Sequence, residues 1–263
     1  TTLVENSVYG KGLQGEHGLS LLVDTGEHRL LFDTGASALF IRNARILGID
    51  LKEVDFLVLS HGHRDHSGGL HHFLAVNDKA QVVCKRELFQ PKFKDERENG
   101  VMQPDALDST RFRFVDEVTE LCRGVFVFPQ LPVTDEEDTH FEHFFTWAEG
   151  RKQADTFTDE LALVLKQDAE VSVRSACSHR VITNIIRAVQ EYFPQTSLKL
   201  VLVGFHIRNT EKEKFDVIAR FLESHLPQRL GICHCTGIDK YALFHQCFAD
   251  RTFYNYTGRV ETL

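Results

Sequence analysis

The 263-residue sequence predicts an α/β protein, because apolar strand-like runs alternate with segments of helical spacing along most of its length. Residues 55–60 and 198–203 are apolar runs of the kind found in buried strands. Residues 181–192 have helical spacing and stand between two strand-like runs. A strand-helix-strand order implies parallel pairing, so we expect parallel strands in each half of the chain.

The first half opens with a predicted hairpin. Apolar residues at 19–23 and 29–32 flank the sequence DTGEH, whose residue types favour a turn. The elements expected next are a helix at 36–48, a strand at 55–60, a helix at 68–76 and a strand at 81–84.

The middle of the chain is less regular. Residues 86–160 contain charged segments with scattered phenylalanines and no clear period. No linker divides the chain, so we interpret residues 1–263 as a single domain in which 86–160 is an excursion that covers the active-site edge. The elements expected after it are strands at 161–166 and 171–174, a helix at 181–192, a strand at 198–203, a helix at 212–225, a strand at 229–235, a helix near 239–248 and a strand at 252–256.

Composition excludes several classes of function. The formal charge is −8 and no run of five lysines or arginines occurs, so we expect no nucleic-acid partner. No stretch of about eighteen apolar residues is present, which predicts no membrane span. The first residues lack the pattern of a secretory signal, and six cysteines are too sparse for a disulfide framework. We therefore expect a cytoplasmic protein with reduced thiols.

A cluster of metal-binding residue types follows the predicted strand at 55–60. The segment LVLSHGHRDHSGGL, residues 57–70, contains His61, His63, Asp65 and His66. A turn leaving a strand can direct the first two to one side and the last two to the other, which gives two neighbouring ligand sets. Imidazoles and a carboxylate suit zinc, and also iron or manganese. Two metals in such sets would lie about 3.5 to 4 Å apart and share a water.

Three further histidines stand where predicted strands end. His179 follows the strand at 171–174, His206 follows the strand at 198–203, and His234 stands at the end of the strand at 229–235. Each would project from the carboxyl edge of a sheet, where α/β folds gather ligands. Any one alone would indicate a structural histidine, but with the histidine cluster they form a constellation.

Three cysteines flank these histidines. Cys177, Cys233 and Cys235 are either metal ligands themselves or core-packing side chains. Core packing is favoured, because Cys233, His234 and Cys235 would alternate along a strand, with at most one face toward the metals, and no second thiol pair accompanies them.

The pattern His-x-His-x-Asp-His resembles the metal loop of the metallo-β-lactamase superfamily. Shorter motifs are similar to a subfamily that includes an archaeal dihydropterin-linked synthase of methanopterin formation: EHGLS at 16–20, FDTG at 32–35, CSH at 177–179 and HCTG at 234–237. The resemblance implies a four-layered αββα sandwich with two divalent metal ions, zinc above all, at one edge.

The same resemblance implies roles for individual residues. It assigns His61, His63 and His179 to the first metal, and Asp65, His66 and His234 to the second. Asp33 would hydrogen-bond a ligand or a loop amide and fix its orientation.

Two residues depart from the superfamily pattern or extend it. Many superfamily hydrolases have a metal-bridging aspartate where the strand at 198–203 ends, and this chain has His206 there. His206 either binds metal or donates a proton or hydrogen bond to substrate. Arg180 either binds a phosphate or carboxylate of the substrate or is a solvated charge at a helix end.

The resemblance implies metal-dependent hydrolysis by an activated water. We expect Asp65 to orient that water as well as to bind metal, and His206 to act as acid to the leaving group. The expected substrate is a small molecule that contains a phosphoester or a pyrophosphate, ahead of an ester or a lactam. The alternatives are a transferase acting on a dihydropterin diphosphate, an iron-dependent redox enzyme, and a metal-binding module without catalysis.

Overall fold

The computed structural model describes residues 1–101, 110–137, 139, 141–148, 150–210 and 212–263. Their helices are α1 (Leu39–Ile46), α2 (Arg64–Ser67), α3 (Leu70–Val76), α4 (Ile182–Tyr192), α5 (Lys212–Ser224) and α6 (Ile238–Phe248). Their strands are β1 (Thr2–Val4), β2 (Ser20–Asp24), β3 (Arg29–Phe32), β4 (Phe56–Val58), β5 (Gln81–Cys84), β6 (Lys92–Lys94), β7 (Arg97–Glu98), β8 (Phe112–Phe114), β9 (Thr119–Cys122), β10 (Val125–Phe128), β11 (Phe144–Ala148), β12 (Arg151–Ala154), β13 (Ala162–Gln167), β14 (Glu170–Ser175), β15 (Ser197–Val203), β16 (Arg229–Ile232) and β17 (Thr252–Tyr254).

The described residues divide into two compact units. The first unit contains residues 1–116, 141–160 and 256–262, and the second contains residues 117–140, 161–255 and 263.

The first unit is built on a sheet of order β1-β2-β3-β4-β5-β8. The hairpin β2-β3 is antiparallel, whereas β3, β4, β5 and β8 are parallel neighbours. Apolar side chains from these strands pack with Phe40 of α1 and Phe73 of α3 in one buried cluster. A second sheet of this unit has the order β12-β11-β6-β7.

The second unit is built on a sheet of order β17-β16-β15-β14-β13-β10-β9. Strands β14 to β17 are parallel neighbours. Helix α4 buries Ile182, Ile185, Ile186 and Val189, which is the i, i+3, i+4, i+7 spacing of a helix with one apolar face. These side chains belong to the apolar cluster that also contains Val173 and Val201 of the sheet.

The predicted α/β class is confirmed, and the hairpin, the helices and the parallel strands appear where the periodicity places them. Three strands are shorter than predicted. β4 covers only Phe56–Val58 and β17 only Thr252–Tyr254, and β16 ends at Ile232, where a short 3-10 helix follows at His234–Thr236. Part of the segment 86–160 is regular, since β8 extends the first unit's main sheet and β9 and β10 extend that of the second. Positions 102–109, 138, 140 and 149 of that segment lie outside the described residues.

Across the described ranges, the helices are all too short or too polar to cross a bilayer.

Candidate metal centre

In the first unit, the parallel strands β3 and β4 end side by side, and this brings Asp33 next to Ser60. Asp33 Oδ1 accepts a hydrogen bond from the Ser60 amide at 2.7 Å, and Asp33 Oδ2 accepts one from Ser60 Oγ at 2.7 Å. Asp33 Oδ2 also accepts a hydrogen bond from Nδ1 of His66 at 2.8 Å. Asp33 is fully buried and has a φ of 61°, a left-handed conformation that costs an L-residue energy and concentrates at functional sites.

This network fixes the tautomers of two histidines. Because the hydroxyl hydrogen of Ser60 is donated to Asp33, Ser60 Oγ accepts the hydrogen on Nδ1 of His61, 2.9 Å away. His66 also carries its hydrogen on Nδ1, which it donates to Asp33. Both imidazoles therefore hold their lone pair on Nε2, the arrangement that carboxylate and hydroxyl partners impose on metal-binding histidines.

The three histidines of the loop are buried together. The ring centroids of His61 and His66 are 4.3 Å apart, and those of His61 and His63 are 4.8 Å apart. Burial above all holds the pKa of His61 well below its ordinary value. The loop therefore keeps this imidazole neutral at pH 7, as a metal ligand must be.

Asp65 lies in the first turn of α2, next to a histidine from another loop. Nε2 of His17 is 3.3 Å from Asp65 Oδ2, and the side chain of Asp65 retains 17% of its exposure. Nδ1 of His17 is 3.1 Å from Nδ2 of Asn6. Nε2 of His66 lies 3.7 Å from Asp65 Oδ2. The carboxylate of Asp65 thus stands between two imidazoles and remains open to solvent.

A buried ion cluster supports the turn that carries the histidines. The Gly62 amide donates to Asp159 Oδ2 at 2.6 Å. Nζ of Lys92 donates to Asp159 Oδ1 at 2.9 Å and to Asp155 Oδ2 at 2.8 Å. All three charged side chains are almost fully buried, and the two carboxylates raise the pKa of Lys92 against the opposing effect of burial. The chain segment between His61 and His63 is therefore anchored to a charged, desolvated cluster.

Gly62 leaves no room for a side chain. A Cβ at this position would lie 2.3 Å from the Leu88 carbonyl oxygen and 2.8 Å from Cε of Lys92. We expect Gly62→Ala to destabilise the fold by about 1 to 3 kcal/mol and to weaken metal binding, because the turn must move away from Asp159. Chemical unfolding and metal titration measure both effects. Gly10→Ala is the control, because the nearest atoms to a Cβ there all belong to the side chain of Leu13, and equal behaviour of the two variants would contradict the prediction.

In the second unit, the parallel strands β14, β15 and β16 also end at one edge. Cys177 and His179 follow β14, His206 follows β15, and His234 and Cys235 follow β16. The potential ligand atoms of Cys177, His179 and His206 all lie within 4.8 Å of one another. Those of Cys177, His234 and Cys235 satisfy the same limit. Cys177 is therefore common to both groups.

The loops that carry these residues are strained and tightly hydrogen-bonded. Ser178, His206 and His234 have positive φ angles of 44°, 54° and 53°. Ser178 Oγ donates to the Gly204 carbonyl at 2.8 Å, and the Phe205 amide donates to Oγ1 of Thr236 at 2.8 Å. Left-handed residues held by such bonds concentrate at functional sites.

The second unit also contains an acidic thiol. Burial opposes ionisation of Cys235, but hydrogen bonds from Cys177 and His206 and the charge of His234 hold its pKa well below the ordinary value. The His206 amide donates to Cys235 Sγ at 3.2 Å. Our sequence interpretation of Cys177 and Cys235 as apolar packing residues missed this polar environment. The alternation expected along a strand does not apply, because His234 and Cys235 lie in a 3-10 helix.

Arg180 lies just before α4, and part of its hydrogen-bonding capacity is taken up by contacts within the protein. Its Nε donates to the Leu131 carbonyl at 2.7 Å, and its own carbonyl accepts from Nδ2 of Asn184 at 3.0 Å. The side chain is half-buried. The hydrogen bond from Nε therefore holds the Arg180 side chain in place. Of its two predicted roles, the fully solvated charge at a helix end fits this contact less well.

Comparison with known proteins identifies the family. A model described as "Metallo-beta-lactamase superfamily" matches residues 13–158, more than half of the chain. The chain belongs to the metallo-β-lactamase superfamily. The resemblance inferred from the histidine loop and the predicted α/β fold of this type are both confirmed. Members of the superfamily are typically enzymes that bind divalent metals such as zinc and act on small molecules.

Individual proteins are similar over nearly the whole chain. The crystal structure of Tm1679, described as "a metal-dependent hydrolase of the beta-lactamase superfamily", is 30% identical with a TM-score of 0.85, and the match covers 99% of this chain and 97% of that one. The 7,8-dihydropterin-6-methyl-4-(beta-D-ribofuranosyl)-aminobenzene-5'-phosphate synthase of Methanocaldococcus jannaschii is 25% identical over 98% of this chain and 94% of its own. The protein MJ0448 of the same organism is 26% identical over 98% and 97%.

Proposed function

We propose that this chain is a metal-dependent hydrolase acting on a phosphoester or a pyrophosphate-containing small molecule in the cytoplasm. The proposed ligands of two divalent metal ions are His61, His63, Asp65, His66, His179 and His234. Zinc is the proposed metal, with manganese or iron as alternatives. The observation that carries the proposal is the network of Asp33 and Ser60, which engages Nδ1 of His61 and of His66 and so makes Nε2 the donor atom of each imidazole toward a metal.

The residues present fit such metals. Neutral imidazoles and one carboxylate are borderline donors of the kind that zinc prefers, and the buried loop histidines supply them side by side. When bound, divalent metals lower the pKa of a water to near neutrality and neutralise charge that develops on the substrate. No nucleophile from the protein is needed for hydrolysis of this kind.

The protein's own side chains position the reactants. Asp33 holds His66 directly and His61 through Ser60, so it sets the direction of two proposed ligands. Asp65, which is partly exposed, is proposed to orient the attacking water as well as to bind metal. We propose that His206 donates a proton to the leaving group. The terminal nitrogens of Arg180 are proposed to bind an anionic oxygen of the substrate, with Nε held by Leu131.

We expect Asp33→Asn to reduce metal affinity about ten- to a hundredfold, because an amide cannot accept all three hydrogen bonds that the carboxylate accepts. Competition with a chromophoric chelator measures the affinity. Asp24→Asn, on the exposed turn of the β2-β3 hairpin, is the matched control and should bind metal like the unaltered protein. An unchanged affinity in Asp33→Asn would show that this carboxylate does not orient ligands.

The experiment that tests the function is a screen of metals against substrates. Metal-free protein is reloaded with zinc, manganese or iron and incubated with phosphoesters, pyrophosphates, carboxylic esters and lactams. We expect hydrolysis of a phosphorus substrate that depends on added metal. Turnover that is independent of metal, or restricted to carbon esters and lactams, would contradict the proposal.

The second candidate function is transfer, favoured by the near full-length similarity to the synthase of M. jannaschii. In a transferase, loss of pyrophosphate from a pterin diphosphate would be followed by attack of an aromatic ring and not of water. Incubation with a pterin diphosphate, with and without an acceptor arene, separates the two functions. A coupled product favours the transferase. Release of the pterin alcohol with pyrophosphate, or of the pterin monophosphate with phosphate, at the same rate with or without the arene favours the hydrolase.

A further inference from the structure

Cys177 lies close to atoms that could bind a metal, but it is not one of the ligands proposed above. Its Sγ lies within 4.8 Å of ligand atoms of His179 and His206, and within the same distance of those of His234 and Cys235. The residue is 2% exposed and follows the end of β14. One buried sulfur atom is thus close to three imidazoles and a second thiol.

The environment of Cys177 differs from that of a packing cysteine. Cys84, also buried, lies in the apolar cluster of the first unit together with Val82 and Phe112. Cys177 is surrounded by side chains with nitrogen and sulfur donors. Imidazoles and a thiolate together are a familiar donor set of zinc and other borderline metals.

The spacing is close to that of a metal site. With metal–sulfur bonds of about 2.3 Å and metal–nitrogen bonds of about 2.0 to 2.1 Å, tetrahedral donors are about 3.3 to 3.8 Å apart. The donor atoms around Cys177 already lie within 4.8 Å, so small side-chain rotations bring them into range. The main chain is fixed nearby by the hydrogen bond from Ser178 Oγ to the Gly204 carbonyl.

We propose that Cys177 is a thiolate ligand of the metal that His179 binds. The inference rests on the proposed function, because it takes His179 as a metal ligand. When the bond between sulfur and metal forms, the Sγ–H bond breaks and its proton goes to solvent, with no change of oxidation state. The thiolate makes this site prefer zinc, cobalt(II) or iron(II) to manganese or magnesium.

Cobalt(II) titration of the metal-free protein tests the proposal without relying on activity. Cobalt bound by histidines gives visible ligand-field bands, and a thiolate ligand adds a sulfur-to-metal charge-transfer band in the near ultraviolet. We expect both kinds of band in the unaltered protein. Cys177→Ser should retain the visible bands and lose the charge-transfer band. Cys247→Ser, at an exposed position of α6, is the control and should retain both.

The outcomes separate this inference from the proposed function. Visible bands without a charge-transfer band in the unaltered protein would contradict a thiolate ligand but would be consistent with a histidine site. This test does not require Cys177→Ser to fold. A charge-transfer band that persists in Cys177→Ser and disappears in Cys235→Ser would overturn the assignment to Cys177. Failure of the unaltered protein to bind cobalt at all would contradict the proposed metal centre and this inference with it.

Discussion

Replacement of His61 by alanine is expected to lower the metal content of the purified protein to less than half. His61 is fully buried, its Nδ1 is engaged by Ser60, and its ring lies next to those of His63 and His66. Loss of one imidazole from a set of three or four ligands removes a strong bond that a water replaces poorly. Elemental analysis of protein purified without added metal measures the effect.

The control for this prediction is His143→Ala. The side chain of His143 is 73% exposed and pairs with Asp95 at the surface of the first unit. Its replacement should leave the metal content unchanged. Normal metal stoichiometry in His61→Ala would contradict the assignment of His61 as a ligand.

Lys92→Met is expected to destabilise the protein by about 3 to 5 kcal/mol, because it leaves two buried carboxylates without their cation. Carboxylate oxygens of Asp155 and Asp159 lie 2.8 and 2.9 Å from Nζ of Lys92, and Asp159 also accepts a hydrogen bond from the Gly62 amide. Urea unfolding of the metal-free protein measures the stability, and metal titration of the same variant should show weaker binding because the turn at Gly62 loses its anchor.

Lys79→Met is the matched control, since Lys79 forms surface ion pairs with Glu53 and Asp55 and is about half exposed. Solvent-exposed pairs contribute about 0 to 1 kcal/mol, so this variant should stay close to the unaltered protein. Equal losses in the two variants would show that the buried cluster is no more important than a surface pair.

The parts of the fold that follow from local periodicity could be predicted from the sequence. The apolar face of α4 repeats at helical spacing, and the hairpin turn at 24–28 has the residue types that such turns favour. The histidine loop was recognisable because its ligand types stand close together in the chain. The hydrogen bonds around the loop could be anticipated in the same way, since Asp33 and Ser60 stand one and two residues after the ends of two strands that pair in parallel.

The remaining parts depend on contacts between residues far apart in sequence. Lys92 meets Asp155 and Asp159 across more than sixty residues, and no periodic pattern marks any of the three. The contact of His17 with Asp65 likewise joins residues far apart in the sequence that no periodic pattern marks. The placement of Cys177 near His206 and His234 arises only when three parallel strands end together, so a small apolar side chain could not be distinguished from a ligand by sequence alone.

Anomalous diffraction from zinc-loaded crystals, recorded on both sides of the zinc absorption edge, tests the central claim most directly. We expect anomalous density at about 2.0 to 2.1 Å from imidazole nitrogens of His61 and His63, and a second peak at bonding distance from Asp65 and His66. The nitrogen facing the metal should be Nε2 in His61 and His66, because Ser60 and Asp33 engage the Nδ1 atoms. Zinc density located only elsewhere in the molecule would contradict the proposed metal centre.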